Sequence, residues 1–258
     1  MLEMKNVYKS YPKKGTGFRK EKLSVLADLS FQINTGEWVA LVGESGSGKS
    51  TLGRLILGLE EADRGSLLLE GRNATAWRKE NRGQMSVVFQ DYTSSVNPAF
   101  RIKDIINEPL KVSCRNNCIR ETTKSLMGKV GLPLSLLNRY PHELSGGQLQ
   151  RICIARAIRT NPRFLVLDEA VSSLDISIQT QILDLLHQLK EEMDITCLFI
   201  AHNLQTVTYL CDHVIFLNER KIAEQIETKK LADVQSDYAK RLLASAVQFN
   251  GLDEELRI

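Results

Sequence analysis

Trp38-Val39-Ala40-Leu41-Val42-Gly43-Glu44-Ser45-Gly46-Ser47-Gly48-Lys49-Ser50 is the stretch that decides how this chain folds. An apolar run enters a glycine-rich turn of the form G-x-x-x-x-G-K-[ST]. Leu52, Leu55, Ile56 and Leu59 then recur at helical spacing. Strand, glycine loop and helix, in that order, suit a polyphosphate. Glycines let backbone N–H groups turn inward without Cβ clashes, and the helix offers its positive N-terminal end. The pattern predicts a nucleoside triphosphate site over Gly43 to Ser50, with Thr51 directly behind. Lys49 is expected to reach the β- and γ-phosphates, and the Ser50 hydroxyl suits Mg²⁺.

A second motif narrows the reading. Leu144-Ser145-Gly146-Gly147-Gln148 precedes Leu149, Ile152, Ile154, Ala155 and Ile158, an apolar face at helical spacing. Taken alone, a serine and two glycines opening a helix form an ordinary capping turn. The same arrangement also makes an anion site, because bare N–H groups, a hydroxyl donor and the helix dipole converge there. Its position favours the second reading. Shortly after it, Phe164-Leu165-Val166-Leu167-Asp168-Glu169 is an apolar strand ending in two adjacent carboxylates.

With these three motifs in this order, the chain resembles the ATP-binding subunits of ABC transporters. Smaller motifs match too. Gln90 follows the strand expected from Met85 to Phe89, Ser172-Ser173-Leu174-Asp175 resembles the D-loop, and His202 follows the strand expected from Thr196 to Ile200. Tyr11 stands where the family places an aromatic against adenine. The resemblance runs from about Leu2 to Leu217. It departs at Asn203, where many members have Asp after the histidine, and at Ala170, where many have Pro.

The resemblance implies a P-loop NTPase of α/β class: a RecA-like parallel sheet core, an added antiparallel β layer and a helical subdomain. It implies one ABC ATPase domain over 1–248, with 1–90 and 162–225 as catalytic core and β layer, 91–161 as the helical signature subdomain, and 249–258 as a tail. ATP and Mg²⁺ are the implied cofactors, with Ser50, Gln90 and Asp168 on the metal. Glu169 is the implied base for the attacking water, and His202 the group that positions it at the γ-phosphate. Head-to-tail dimerisation is implied as well. Ser145, Gly146, Gly147 and Gln148 then cover the ATP held by the partner, and Asp175 works across that interface.

Within the family, Ser86-Val87-Val88-Phe89-Gln90-Asp91, Ser95-Val96-Asn97-Pro98, Arg139-Tyr140-Pro141-His142-Glu143-Leu144 and Tyr238 to Val247 resemble the peptide and nickel importers. Ala170, Cys197-Leu198-Phe199-Ile200 and the short C-terminus lean toward the second ATP-binding subunit of nickel importers. The implied partners are a distinct second ATPase in a heterodimer, two transmembrane permeases and an extracytoplasmic substrate-binding protein. The implied place is the cytoplasmic face of the inner membrane. Nickel rests on resemblance alone, since His142, His187, His202 and His213 show no metal-ligand spacing. Val96, Phe100, Ile102 and Ile105, in the segment from about Asp91 to Pro109, either line a groove for a permease helix or pack the lobe's own core.

Composition agrees with this reading. Of 258 residues 43% are hydrophobic, enough for one large core or two modest lobes. A net charge of +3, left over from 34 basic and 31 acidic residues, argues against nucleic acid as a partner. No apolar run nears the ~20 residues that span a bilayer. Five scattered cysteines do not make a disulfide framework and suit a reducing compartment. A single cassette without sustained heptads sets the chain apart from translation-factor and DNA-repair ATPases of the same superfamily.

The expected elements are strands Leu2 to Tyr8, Ser24 to Ile33, Trp38 to Val42, Gly65 to Glu70 and Met85 to Gln90. A helical block from Ile102 to about Asn161 follows, broken by Gly131, Pro133 and Pro141. Then come strand Phe164 to Leu167, helix Ile176 to Glu192, strand Thr196 to Ile200, helix Leu204 to Cys211, strand Val214 to Leu217 and a short helix Asp237 to Val247.

Overall fold

Strand β1 (Leu2–Pro12) buries Leu2, Met4 and Val7, and it pairs antiparallel with both β2 (Lys22–Ile33) and β4 (Arg64–Leu69). With the short β5 (Arg72–Asn73) they form a four-stranded antiparallel sheet in the order β2-β1-β4-β5. This is the added β layer that the resemblance implies. A computed structural model describes residues 1–13, 22–111, 122–171 and 175–245. The chain forms two compact units, one from Met1–Asn73 and from Phe199 onward, the other Ala74–Leu198.

In the first unit, every residue of β3 (Trp38–Val42) is buried. That is why its sequence is a continuous apolar run and not an alternating one. It lies parallel to β9 (His213–Asn218), with Val39 opposite His213 and Val42 opposite Phe216. β9 in turn pairs antiparallel with β10 (Lys221–Glu227). Helix α1 (Lys49–Leu57) leaves the glycine loop and ends at Gly58, whose φ of 74° closes it with a left-handed cap. Helix α7 (Leu204–Leu210) is capped by the Asn203 side chain, which accepts from Gln205 N–H at 2.8 Å. A last helical run, α8, covers 237–245.

The second unit holds a parallel pair, β6 (Met85–Val88) and β7 (Phe164–Asp168), with Met85 opposite Phe164 and Val88 opposite Leu167. Its helices are α2 (Ala74–Glu80), α3 (Ile102–Asn107), α4 (Thr123–Lys129), α5 (Gly146–Ile158) and α6 (Ile176–Glu192). β8 (Thr196–Ala201) carries the chain from the second unit back to the first. The expected helical block is more broken than its pattern suggests, with single 3-10 turns at Glu108–Lys111, Leu134–Asn138 and Pro141–Glu143. Gly131, at φ 66°, and Pro133 stop propagation after α4, and Pro141 opens the last turn.

Among the described residues, β5, α2, β10 and the 3-10 turns at Thr228–Asp233 have no counterpart in the sequence reading. The β9–β10 turn places Glu219 and Arg220 at φ 45° and 73°, the two left-handed positions of a tight hairpin. Neither is the Asn or Gly that would mark such a turn. Strand β6 stops at Val88, so Gln90 lies two residues past its end. Among the described residues no helix is long and apolar enough to cross a membrane. Most of the stretch between Pro12 and Lys22, together with Cys114, Cys118 and the 249–258 tail, lies outside the described residues.

Candidate functional site

The glycine loop belongs wholly to the first unit. Gly46 and Gly48 adopt φ of 80° and 109°, a region L side chains rarely enter. A Cβ on Gly48 would stand 2.6 Å from Leu26 Cδ2, and one on Gly43 only 2.4 Å from the Leu217 oxygen. The loop therefore closes only around bare backbone at these points. Glu44, Ser45, Gly46 and Ser50 are exposed at its tip, so the tip backbone faces solvent. Lys49 is 6% exposed, and its ammonium donates to the Gly43 and Glu44 carbonyls at 2.6 and 2.9 Å. The Ser47 hydroxyl is buried and meets no partner among the described residues. A cradle that excludes side chains and a held, shielded cation fit a polyphosphate.

Tyr11, near the end of β1, reaches this loop. Its hydroxyl donates to the Glu60 carboxylate and lies 3.5 Å from Thr51 Oγ1 on α1. Lys9 Nζ sits 5.3 Å from its ring centroid. Partial burial, then the Glu60 contact, pushes the Tyr11 hydroxyl above the usual tyrosine range. His202 follows β8 in the same unit and is exposed. The structure thus gathers Tyr11, residues 43–51 and His202 into one unit.

Gln90, Ser145 to Gln148, Asp168, Glu169 and Asp175 belong to the second. Asp168 ends β7, and Glu169 follows at φ 48°. For a non-glycine residue this left-handed conformation costs about 1–3 kcal/mol and marks a position the surroundings must hold. Gln90 Nε2 donates to Glu169 Oε2 at 2.9 Å. After Gln90, Asp91 Oδ1 accepts from Thr93 Oγ1 at 2.6 Å, Ser94 N at 3.0 Å and Thr93 N at 3.1 Å. The Thr93 hydroxyl first, then the Ser94 N–H, pulls the Asp91 carboxyl down to about 2.

The Ser145 turn is a reciprocal capping box. Ser145 Oγ accepts from Gln148 N at 3.3 Å, and Gln148 Oε1 accepts from Ser145 N at 3.0 Å. The capping reading is the one the geometry displays; the hydroxyl caps with a lone pair, so the cap leaves its proton available to donate. Gly147 is buried, and a Cβ there would stand 2.7 Å from Ile178 Cγ2 on α6. Asp175 is the exposed N-cap of α6, while Ser172, Ser173 and Leu174 lie outside the described residues.

The groove expected after Gln90 needs correction. Val96, Ile102 and Ile105 are buried. α3, which carries the two isoleucines, packs against α5, so they serve the unit's own core and do not line an open surface. Arg156 on α5 donates to the Ser95 carbonyl at 2.6 Å, and Arg159 Nε to Asn107 Oδ1 at 2.9 Å. The segment after Gln90 is thereby tied to the helix that follows the signature.

Three site neighbours escaped the sequence reading. Glu60 holds the Tyr11 hydroxyl, and Tyr238 accepts from Glu44 N–H. Gln150 is fully buried and donates to the Ala170 carbonyl at 2.6 Å, directly after Glu169. A polar residue on the apolar side of the α5 pattern was the available signal for Gln150. Glu60 offered none, and Tyr238, read as part of an importer-like amphipathic helix, gave no sign of its contact with the glycine loop.

An ABC transporter family model matches residues 26–172. The metal-staphylopine import system ATP-binding protein CntF of Staphylococcus aureus (strain NCTC 8325 / PS 47) is 41% identical, covering 96% of this chain and 100% of that protein. The oligopeptide transport ATP-binding protein OppF of Haemophilus influenzae is 41% identical, over 88% of this chain and 71% of its own. The nickel import ATP-binding protein NikE of Rhodospirillum rubrum is 42% identical, over 87% and 83%. Nickel is therefore not singled out among the cargoes these names carry. Among solved structures, the dimeric post-hydrolysis state of the ATP-binding cassette MJ0796 bound to ADP and Pi superposes with a TM-score of 0.75. It is 26% identical and covers 88% of this chain and 99% of that one.

Proposed function

Because this chain belongs to the ABC transporter family of ATPases, within its peptide, nickel and metallophore importers, we propose that it is the ATP-hydrolysing subunit of a metal importer, serving nickel as the ion or as a chelate. Full-length likeness to a metal-staphylopine system supports a metal cargo, and NikE supports nickel in particular. The observation that carries the ATPase reading is the Gly43–Ser50 loop, closed around bare backbone with Lys49 held inside it.

In this reading Lys49 and the loop N–H groups bind the phosphates, and Tyr11 stacks on adenine. Ser50, Gln90 and Asp168 would hold Mg²⁺, which would neutralise phosphate charge. Glu169 takes the proton of the attacking water, and His202 hydrogen-bonds the γ-phosphate. Ser145 to Gln148 serve the ATP of a second, distinct ATPase subunit. Two permeases and an extracytoplasmic binding protein complete the assembly, with this chain on the cytoplasmic face of the inner membrane.

The test is uptake by cells carrying the chain with the permease, ATPase and binding-protein genes that neighbour its own. Radiolabelled nickel is offered free, with a staphylopine-type chelator, or in competition with short peptides. Nickel accumulation that disappears with Lys49→Ala supports the proposal. Uptake of peptide alone overturns the metal cargo, and co-purification with ribosomes or DNA in place of permeases overturns the importer.

A further inference from the structure

One peptide group of the glycine loop is held at both ends. Its carbonyl, on Gly43, accepts from Lys49 Nζ at 2.6 Å, while its N–H, on Glu44, donates to the Tyr238 hydroxyl oxygen at 2.9 Å. A peptide is planar and its C=O and N–H point in opposite directions, so turning one turns the other. The two hydrogen bonds also polarise the group in the same sense, each strengthening the other. Tyr238 is thus joined to the Lys49 ammonium through a single rigid plate.

The placement of Tyr238 makes this an anchored contact. It stands in the first turn of α8, far along the chain from Glu44 and outside the 26–172 stretch that the family model matches. Its side chain is only 6% exposed, and Ala239 beside it is fully buried. Burial, chiefly, pushes the hydroxyl above the usual tyrosine range, so it stays neutral across physiological pH. Glu44 itself is exposed at the loop tip, where a free N–H would be solvated and the peptide could turn.

We propose that Tyr238 is a positioning residue for ATP: it fixes the Gly43–Glu44 peptide and thereby sets where the Lys49 ammonium lies before nucleotide arrives. This rests on the reading of Lys49 as the phosphate-binding cation. It makes the C-terminal helix part of the nucleotide site's preorganisation, although no α8 residue is assigned to touch ATP. Without the tyrosine oxygen, the loop spends part of its time with the peptide turned and Lys49 released, and apparent affinity falls by the fraction still competent.

Tyr238→Phe keeps the ring and removes the oxygen. Titration of the purified full-length chain with ATP should show a dissociation constant weakened about five- to tenfold, the range expected when one hydrogen bond that holds the loop is lost. In the assembled transporter the loss should fall on KM for ATP and spare kcat, because ground state and transition state lose the same preorganisation. Melting temperature, measured alongside, reports the packing contribution. A lower melting temperature with ATP affinity within twofold of wild type would overturn the inference, since lost packing alone explains that result. Lys49→Ala is measured in parallel. If it alone loses ATP, only the role of Tyr238 fails; if neither variant loses ATP, the reading of the loop itself fails.

Discussion

Replacing Gly147 with alanine sets two opposing effects against each other. Alanine in a helix gains about 0.5–1 kcal/mol over glycine, so propensity alone would stabilise the variant. The added Cβ, however, would stand 2.7 Å from Ile178 Cγ2. Carbon atoms at rest lie about 3.5–4.0 Å apart, so one partner must move by roughly 1 Å. Ile178 is β-branched, stiff at χ1, and anchored on α6, so the signature turn has to give at least part of that distance. Overpacking of this kind costs about 1–3 kcal/mol. The balance is a net loss of roughly 0–2.5 kcal/mol, which leaves the protein folded. The functional cost is larger, because a donor misplaced by about 1 Å costs on the order of a hundredfold in rate. ATPase turnover of the assembled transporter should therefore fall at least about tenfold, with the urea midpoint shifted only slightly. Wild-type turnover in Gly147→Ala would refute the claim that this turn must approach α6 as bare backbone to act.

Gln150→Leu should separate stability from turnover. It strands the Ala170 carbonyl but also removes the buried Gln150 Oε1, which meets no partner among the described residues, so unfolding free energy should change by less than about 1 kcal/mol. Turnover should fall about tenfold as the Ala170–Val171 peptide, next to Glu169, loosens, and an unchanged rate would show that Gln150 only fills space. Cys153 is buried, and that burial raises its thiol above the usual range, so the reactive thiolate is suppressed at pH 8 and grows as pH rises. Iodoacetamide labelling followed by mass spectrometry should find it modified at least about tenfold faster in urea than in the native protein, and equal rates would contradict its burial.

Much of the architecture was legible because the buried strands announce themselves. β3, β7 and β8 are continuous apolar runs, each ending at a motif residue, and no local alternative competes with them. β10 was not legible, since its hairpin turn uses Glu219 and Arg220 in left-handed conformations that the sequence does not advertise. α2 was missed because only Ala74 and Trp77 anchor it, too few to set a helical period. The site residues were legible by motif, whereas their supports were not. Glu60 at Tyr11, Tyr238 at Glu44 and Gln150 at Ala170 are tertiary contacts between segments far apart in sequence, and spacing along the chain carries no trace of them. The expected groove failed for a related reason. An apolar residue reads the same in sequence whether it waits for a partner or packs inward, as Val96, Ile102 and Ile105 do.

The most direct test of the account is single-turnover ATP hydrolysis by the assembled transporter carrying Glu169→Gln. The amide keeps an oxygen able to accept from Gln90 Nε2, so the local geometry is retained while the base and its charge are lost. The account predicts ATP affinity within about threefold of wild type and hydrolysis slowed at least about a hundredfold, with ATP trapped in the closed complex. Hydrolysis within about twofold of wild type would contradict it, because Glu169 would then not be the group that activates the water.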